Sequence, residues 1–364
     1  MIYMDNAATT KVCDAAKKAI IEHLDTYGNP SSSHELGRQA RLLIEDARER
    51  IAKCINAEPE QIFFTSGGSE ANTWALNHKF VLASPIEHHS VRLDYKFPID
   101  KYGIVDPQEV LERIKMLRRQ EKYLTMVSCM HVNNELGVIE PVRGIAKVAH
   151  ECNLPFHVDA VQSIGHIPVD IKNIDCDTMS ASGHKFGSLK GVGFLFIKNE
   201  HALGCLINGG KQERGMRPGT ENIVGIISMA AALEDAVEHM EKRNKYIDGL
   251  RDELLYRLLQ IDGANQNGSY AERTKSHINI RFDGISGSRL VTLCSLYGLC
   301  ISSGSACNEG VSTPSHVLKA IGLSDEEALN SIRITLSHEN TEKEIDIAAD
   351  IITALVRRIR ENEE

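Results

Sequence analysis

The chain has 364 residues, 42% of them apolar and 25% charged, and a formal net charge of -9. That length allows two domains and a large buried core, while the acidic balance, with basic residues spread along the chain, argues against a nucleic-acid or anionic-membrane surface. Nine cysteines, odd in number and without a C-x-x-C pair, do not read as a disulfide framework or a zinc site, and no run reaches the roughly 18 apolar residues of a membrane span.

The opening residues MIYMDNAATTKV carry neither a basic nor an apolar leader region, which points to the cytoplasm. Asp5 to Thr10 reads as a loop capping a helix that begins near Val12 and ends before Tyr27. After Ser31 to Ser33, apolar positions at Leu36, Ala40, Leu43, Ile44, Ala47 and Ile51 predict an amphipathic helix over about Glu35 to Ile55. In IFFTSGGSEANTWAL, Ile62 to Leu76, a short strand runs into Gly67 and Gly68 and a helix opens at Ser69. Free backbone N–H groups and the positive end of the helix dipole then face one point, suited to a phosphate; without a ligand the same turn has Ser69 as its N-cap. Short strands follow near Phe80 to Ala83, Tyr95 to Ile99, Leu124 to Met130, Phe156 to Val158 and Thr178 to Ala181, with helices near Pro107 to Arg119 and Pro141 to Cys152. This alternation predicts an α/β domain on a mostly parallel sheet, whose ligands gather at the carboxyl ends of the strands. His88 and Asn134 follow strands in this way, and each also reads as an ordinary structural residue, Asn134 as a turn former.

Within SASGHKFGSLKG, Ser180 to Gly191, the strand run Val192 to Ile197 follows a tight glycine-rich loop that holds Lys185 beside Ser182 and His184, with few carboxylates close by in sequence. Such a lysine grips an anion or forms an imine with a carbonyl, and the second use needs a neutral amine, which burial favours. Upstream, LPFHVDAVQS ends an apolar strand in Asp159, with Gln162 three positions on. A carboxylate there is costly unless it meets a cation or caps the following turn. An Asp paired with a pyridinium and a Lys in an imine are the two requirements of a pyridoxal phosphate site.

Asn208 to Asn222 is a glycine-rich basic loop leading into an interrupted helical stretch from Glu221 to about Ile261. Strands His277 to Phe282, around Cys300 to Ser302 and Ser331 to Leu336, with helices near Ser288 to Tyr297 and Thr341 to Arg360, predict a smaller α+β domain. The expected division is 15–250 for the large domain, with 1–14 and 251–364 forming the small one. Cys307, amid Ser, Gly, Asn, Thr and Pro in ISSGSACNEGVSTPSHVL, reads as an exposed loop thiol, either incidental or reactive.

Taken together, DNAATT, GNPSSSH, TSGGSEAN, EHHSV, HVNNELG, HVDAVQS, SGHK, QERGMRPGTEN, SSGSAC and the pair Ile332 and Arg333 resemble the cysteine desulfurases of the NifS and IscS type, in the class V aminotransferase group with the type I pyridoxal phosphate fold. The resemblance implies a homodimer using pyridoxal 5′-phosphate to take sulfur from L-cysteine. It implies that Lys185 forms the imine, Asp159 pairs with the pyridine nitrogen, His88 stacks on the ring and Gln162 bonds the phenolic oxygen. Gly68, Ser69, Ser182 and His184 hold the phosphate, Thr220 reaches the partner subunit's cofactor, and Asn134 and Arg333 bind the substrate carboxylate. Cys307 is the nucleophile that carries the persulfide to an acceptor or iron–sulfur scaffold protein; no resident metal is implied, Cys307 being at most a transient iron–sulfur ligand.

The chain departs from the family pattern at Ser337 to Asn340 in place of a Gly-Arg-Phe run, at Leu189, at Lys211 in place of a glycine, and at Glu309, whose charge opposes thiolate formation at Cys307. The rival readings are a selenocysteine lyase or other type I pyridoxal phosphate enzyme that does not use Cys307, and a non-catalytic sulfur carrier.

Overall fold

A computed structural model describes residues 1–303 and 313–361. The N-terminal strand Ile2–Tyr3 (β1) is followed by a seven-stranded sheet. Its strands are Ile62–Thr65 (β2), Val81–Ala83 (β3), Tyr95–Lys96 (β4), Met126–Met130 (β5), Phe156–Asp159 (β6), Thr178–Ser182 (β7) and Gly193–Ile197 (β8), in the spatial order β2-β8-β7-β6-β5-β3-β4. The strands β7, β6, β5, β3 and β4 run parallel, and β8 runs antiparallel to both its neighbours. Six of the seven strands are buried along their whole length (β2, β3, β5, β6, β7 and β8). That is why they read as continuous apolar runs rather than alternating ones.

The helices Glu35–Cys54, Pro107–Arg119 and Val142–Glu151 bury Ile44, Ile51, Val110, Ile114 and Ile145 in the core that also takes Phe156, Val158, Phe194 and Phe196 from the sheet. The first helix is Asp14–His23, and its cap is Cys13, whose Sγ accepts from Ala16 N at 3.4 Å. The DNAATT loop does not cap it. The expected helical stretch after Glu221 is two helices, Ile223–Glu238 and Met240–Leu258, broken at His239.

The C-terminal part adds Ala264–Gln266 (β9), His277–Phe282 (β10), Leu299–Cys300 (β11), Ser302–Ser303 (β12) and Ser331–Thr335 (β13). An antiparallel sheet in the order β12-β13-β10-β9 packs under the helices Met240–Leu258, Gly287–Leu296 and Glu342–Glu361, around a second apolar cluster with Leu254, Ile280, Phe282, Leu290, Ile332 and Ile352. The single strand expected around Cys300 is two short ones, because β11 pairs with β1 whereas β12 pairs with β13. The start of the chain is sewn into this part: Met4 N donates to Cys300 O at 2.8 Å, Thr335 N to Met4 O at 2.8 Å, and Ala7 N to Thr335 Oγ1 at 2.9 Å. Residues 5–9 then pass towards the carboxyl ends of the large sheet. No helix among the described residues is long and apolar enough to cross a membrane.

Candidate active site

The carboxyl ends of β5, β6 and β7, with the turn after β2, open on a cleft of about 850 Å³. It is lined by Lys185, Asp159, His88, Gln162, Ser182, His184, Gly68, Ser69, Asn134 and Arg333. The structure therefore brings together ten of the twelve residues singled out from the sequence. Thr220 lies outside this lining, exposed on the loop after Gly219, and Cys307 lies outside the described residues.

Lys185 ends a short 3-10 turn, Gly183–Lys185, that follows β7. Its Nζ donates to Ala7 O at 2.6 Å and Ala8 O at 2.9 Å, so the N-terminal segment supplies two neutral acceptors. Burial, and then the Arg333 guanidinium, push its ammonium down to about 8, against the opposing pull of Asp159 and Asp5. The sequence suggested few carboxylates near this lysine; folding brings in two, from 26 positions upstream and from the amino end.

Asp159 closes β6 and is only 4% exposed. Its Oδ1 accepts from Val161 N at 3.0 Å, so it does brace the following turn, while Oδ2 accepts from Asn72 Nδ2 at 2.7 Å. Both donors are neutral, and a cation arriving in the cleft meets a carboxylate already aimed by two hydrogen bonds. Gln162 donates one amide hydrogen to Ala7 O at 2.8 Å. His88 Nδ1 faces Ser90 Oγ at 2.7 Å, and burial draws the imidazole pKa below its ordinary value. His184 Nδ1 lies 3.1 Å from Thr9 Oγ1, and burial followed by the charges of Lys185 and Lys190 lowers it to about 4, so at neutral pH it is an uncharged ring.

The phosphate-sized corner is the start of the helix Gly68–Ala75. Its cap is Gly67, at φ +153°, rather than Ser69, and no side chain covers the first turn. A Cβ on Gly68 would lie 2.5 Å from Val161 Cγ2, so only glycine lets this turn sit against the β6 turn. The uncovered N–H groups begin a turn that lines the same cleft as Ser182 and His184, a set of donors that suits an anion. Glu70, in the same turn, is neutralised by Arg217, whose Nε lies 2.7 Å from Oε1.

At the other wall, Arg333 on β13 is 7% exposed; Nη2 pairs with Asp5 Oδ1 at 2.7 Å, Nη1 donates to Asn134 O at 3.0 Å, and Nε has no hydrogen-bond partner among the described residues. Turn formation beside Asn134 belongs to Asn133, whose Oδ1 accepts from Glu135 N at 2.9 Å and Leu136 N at 2.8 Å. Glu135 Oε2 accepts from Ser315 Oγ at 2.6 Å, and burial pushes its carboxyl up to about 7. Among the described residues no cluster of His, Cys, Asp and Glu is placed to hold a metal ion.

These donors fit pyridoxal phosphate: a buried carboxylate without a cation, a lysine of lowered pKa and an uncovered helix start line one cleft. The comparisons agree. The family described as Aminotransferase class-V matches residues 2–347. A protein named cysteine desulfurase IscS from Methanosarcina thermophila is 37% identical, over 99% of this chain and 93% of its own length. A solved NifS-like protein superposes with a TM-score of 0.89 at 34% identity, covering 98% of this chain and 99% of its own. A structure titled SspA in complex with cysteine gives 0.79 at 31% identity, covering 94% and 100%.

Proposed function

The chain belongs to the class-V aminotransferase family, with the type I pyridoxal phosphate fold, and from that premise we propose that it is a pyridoxal 5′-phosphate-dependent cysteine desulfurase. It takes sulfur from L-cysteine, releases L-alanine and carries the sulfur as a persulfide on Cys307. The observation that carries this reading is the convergence of Lys185, Asp159 and the Gly68 turn on one cleft.

Bound there, the cofactor supplies an electron sink for the substrate α-carbon. Asp159 would hold its ring nitrogen, His88 would cover the ring, and Gln162 has a second amide hydrogen left for the phenolic oxygen. Ser69, Ser182 and His184 would hold the phosphate alongside the N–H groups of the Gly68 turn. Lys185, whose pKa is lowered to about 8 so that the neutral amine is far more accessible than for a free lysine, would be the amine that holds the cofactor and, when free of it, the group that moves the α-proton. Arg333 exchanges Asp5 for the substrate carboxylate, with Asn134 beside it. The Cys307 thiolate attacks the substrate sulfur; the C–S electron pair stays on carbon, which gains a proton and leaves as alanine. Similarity to proteins named cysteine desulfurase favours this over a selenocysteine lyase.

The same proposal includes the division into 15–250 and 1–14 with 251–364, supported by two separate apolar cores. It includes a homodimer in which Thr220 serves the partner subunit's cofactor, supported by the exposure of Thr220 outside its own cleft. It includes sulfur delivery to an acceptor or iron–sulfur scaffold protein. A cytoplasmic setting is supported by eight unpaired cysteines among the described residues. Borohydride reduction followed by peptide mass spectrometry should find a pyridoxyl group on Lys185. Cys307→Ala should keep that group and stop sulfide release from L-cysteine; alanine and sulfide at the wild-type rate would sink the role given to Cys307.

A further inference from the structure

Asn72 was not among the residues expected to matter, yet it sits at the centre of the cleft's polar network. It lies on the helix Gly68–Ala75, is 1% exposed, and all four hydrogen-bonding positions of its amide are used. One Nδ2 hydrogen goes to Asp159 Oδ2 at 2.7 Å and the other to Ser90 Oγ at 2.8 Å. Oδ1 accepts from Ser180 Oγ at 2.5 Å and lies 3.0 Å from His157 Nε2. This fixes the amide's orientation, because a turned amide would set its oxygen against the Asp159 carboxylate.

The orientation spreads outwards. His157, whose Nδ1 lies 2.9 Å from Thr178 Oγ1, is fully buried and driven down to about 3 by desolvation, so it is neutral and donates from Nε2. Ser90 takes its Oγ bond from Asn72 and turns its hydroxyl hydrogen to His88 Nδ1, which also accepts from Ser90 N at 3.1 Å. Nδ1 of His88 is therefore an acceptor, and a neutral His88 carries its proton on Nε2.

We propose that Asn72 is the positioning residue of the cofactor site, one amide that aims the Asp159 carboxylate at the ring nitrogen and, through Ser90, fixes the His88 ring in its Nε2–H form. This rests on the cleft being a pyridoxal phosphate site. Its two donor branches act on the cofactor's two neighbours, whereas the acceptor branch through Ser180 and His157 only holds Asn72 in place.

The test uses the cofactor-loaded protein and three variants, reading cofactor loss on dialysis and the pH midpoint of the bound cofactor's visible absorption. A proton kept on the ring nitrogen draws electrons from the aldehyde end and lowers that midpoint. Asn72→Ala removes one of the carboxylate's two hydrogen bonds, so the midpoint should move up by ~0.5 pH unit or more and cofactor loss should quicken about tenfold. Ser180→Ala breaks the acceptor branch alone and should leave the midpoint at its wild-type value, which a merely structural network would not. Ser90→Ala, useful should Asn72→Ala not fold, should change the visible circular dichroism of the cofactor while sparing the midpoint. The proposal is overturned if Asn72→Ala keeps the wild-type midpoint and retention, if Ser180→Ala shifts the midpoint as far as Asn72→Ala, or if Ser90→Ala leaves the dichroism unchanged. A wild-type protein without any cofactor band would overturn the functional reading itself, and this one with it.

Discussion

Lys185 shows how a single side chain is tuned by what surrounds it. In the folded protein it loses its proton at about 8, against 10.5 for the free group. Between those values the unfolded chain binds more protons, so the stability of the cofactor-free protein rises with pH there, and the cost of the buried ammonium is fully present below 8. Two outcomes follow. The rate at which cofactor-free protein takes up pyridoxal phosphate should climb with a midpoint near 8, followed by the growth of the visible band; a midpoint near 10.5 would mean the amine is not desolvated. Arg333→Met removes the second cause only, so the midpoint should rise but stay below 10.5, since burial is the larger effect. Lys185 and Asp159 were legible in the sequence because their chemistry is written in the residue type. Ala7 and Ala8 were not, because what they contribute is a backbone carbonyl, which any residue has. Asn72 stood inside a motif that was read, but its four partners come from three other stretches of chain.

At the scale of elements, the loop expected over Asn208 to Asn222 is tied to the helix Glu35–Cys54 by a buried ion pair, to β2 by a hydrogen bond and to the Gly68 turn by a half-buried ion pair. Arg48, 3% exposed, meets Glu213 through Nη1 at 2.9 Å and Nη2 at 2.7 Å, and Glu213 Oε2 also accepts from Phe64 N at 2.8 Å. Holding Glu213 there requires left-handed backbone at Glu213 and Arg214, φ +46° and +57°. Glu213→Ala should destabilise the protein in urea unfolding, by less than the roughly 3–5 kcal/mol of a buried charge left wholly alone, since Arg48 keeps only its pair with the half-exposed Glu45. Glu213→Leu with Arg48→Met should cost much less; equal losses would mean that packing rather than charge holds the loop. The strands of the large sheet were readable from their apolar runs, and β10 was found with its full range. The strand β9 was not, because Ala-Asn-Gln lacks β-branched residues and becomes a strand only by pairing with β10. The helix Asp325–Leu329 escaped notice although Ser324 and Glu327 form a capping box. The exact break at His239 has no Gly or Pro to announce it.

For the whole molecule, the proposed homodimer has a stretch to bury: Ile21, Leu24 and Tyr27, at and just beyond the end of the first helix, are 77%, 66% and 82% exposed. Sedimentation should give a dimer, and Leu24→Glu with Tyr27→Glu should shift it towards monomer with weaker cofactor retention. An active wild-type monomer would contradict this. Symmetry and partner contacts are not visible in one chain's residue order. The threading of residues 4–8 between the parts also bears on synthesis. Asp5 and Arg333 are 328 positions apart, and the segment that holds Lys185 is itself hung on Cys300 and Thr335. Residues 4–8 thus stay unplaced until Arg333 and Thr335 have been made. A product cut short by an early stop codon, even at residue 330, would keep Lys185, Ala7 and Ala8 but lose the strand that holds those two carbonyls against the lysine, and should remain colourless.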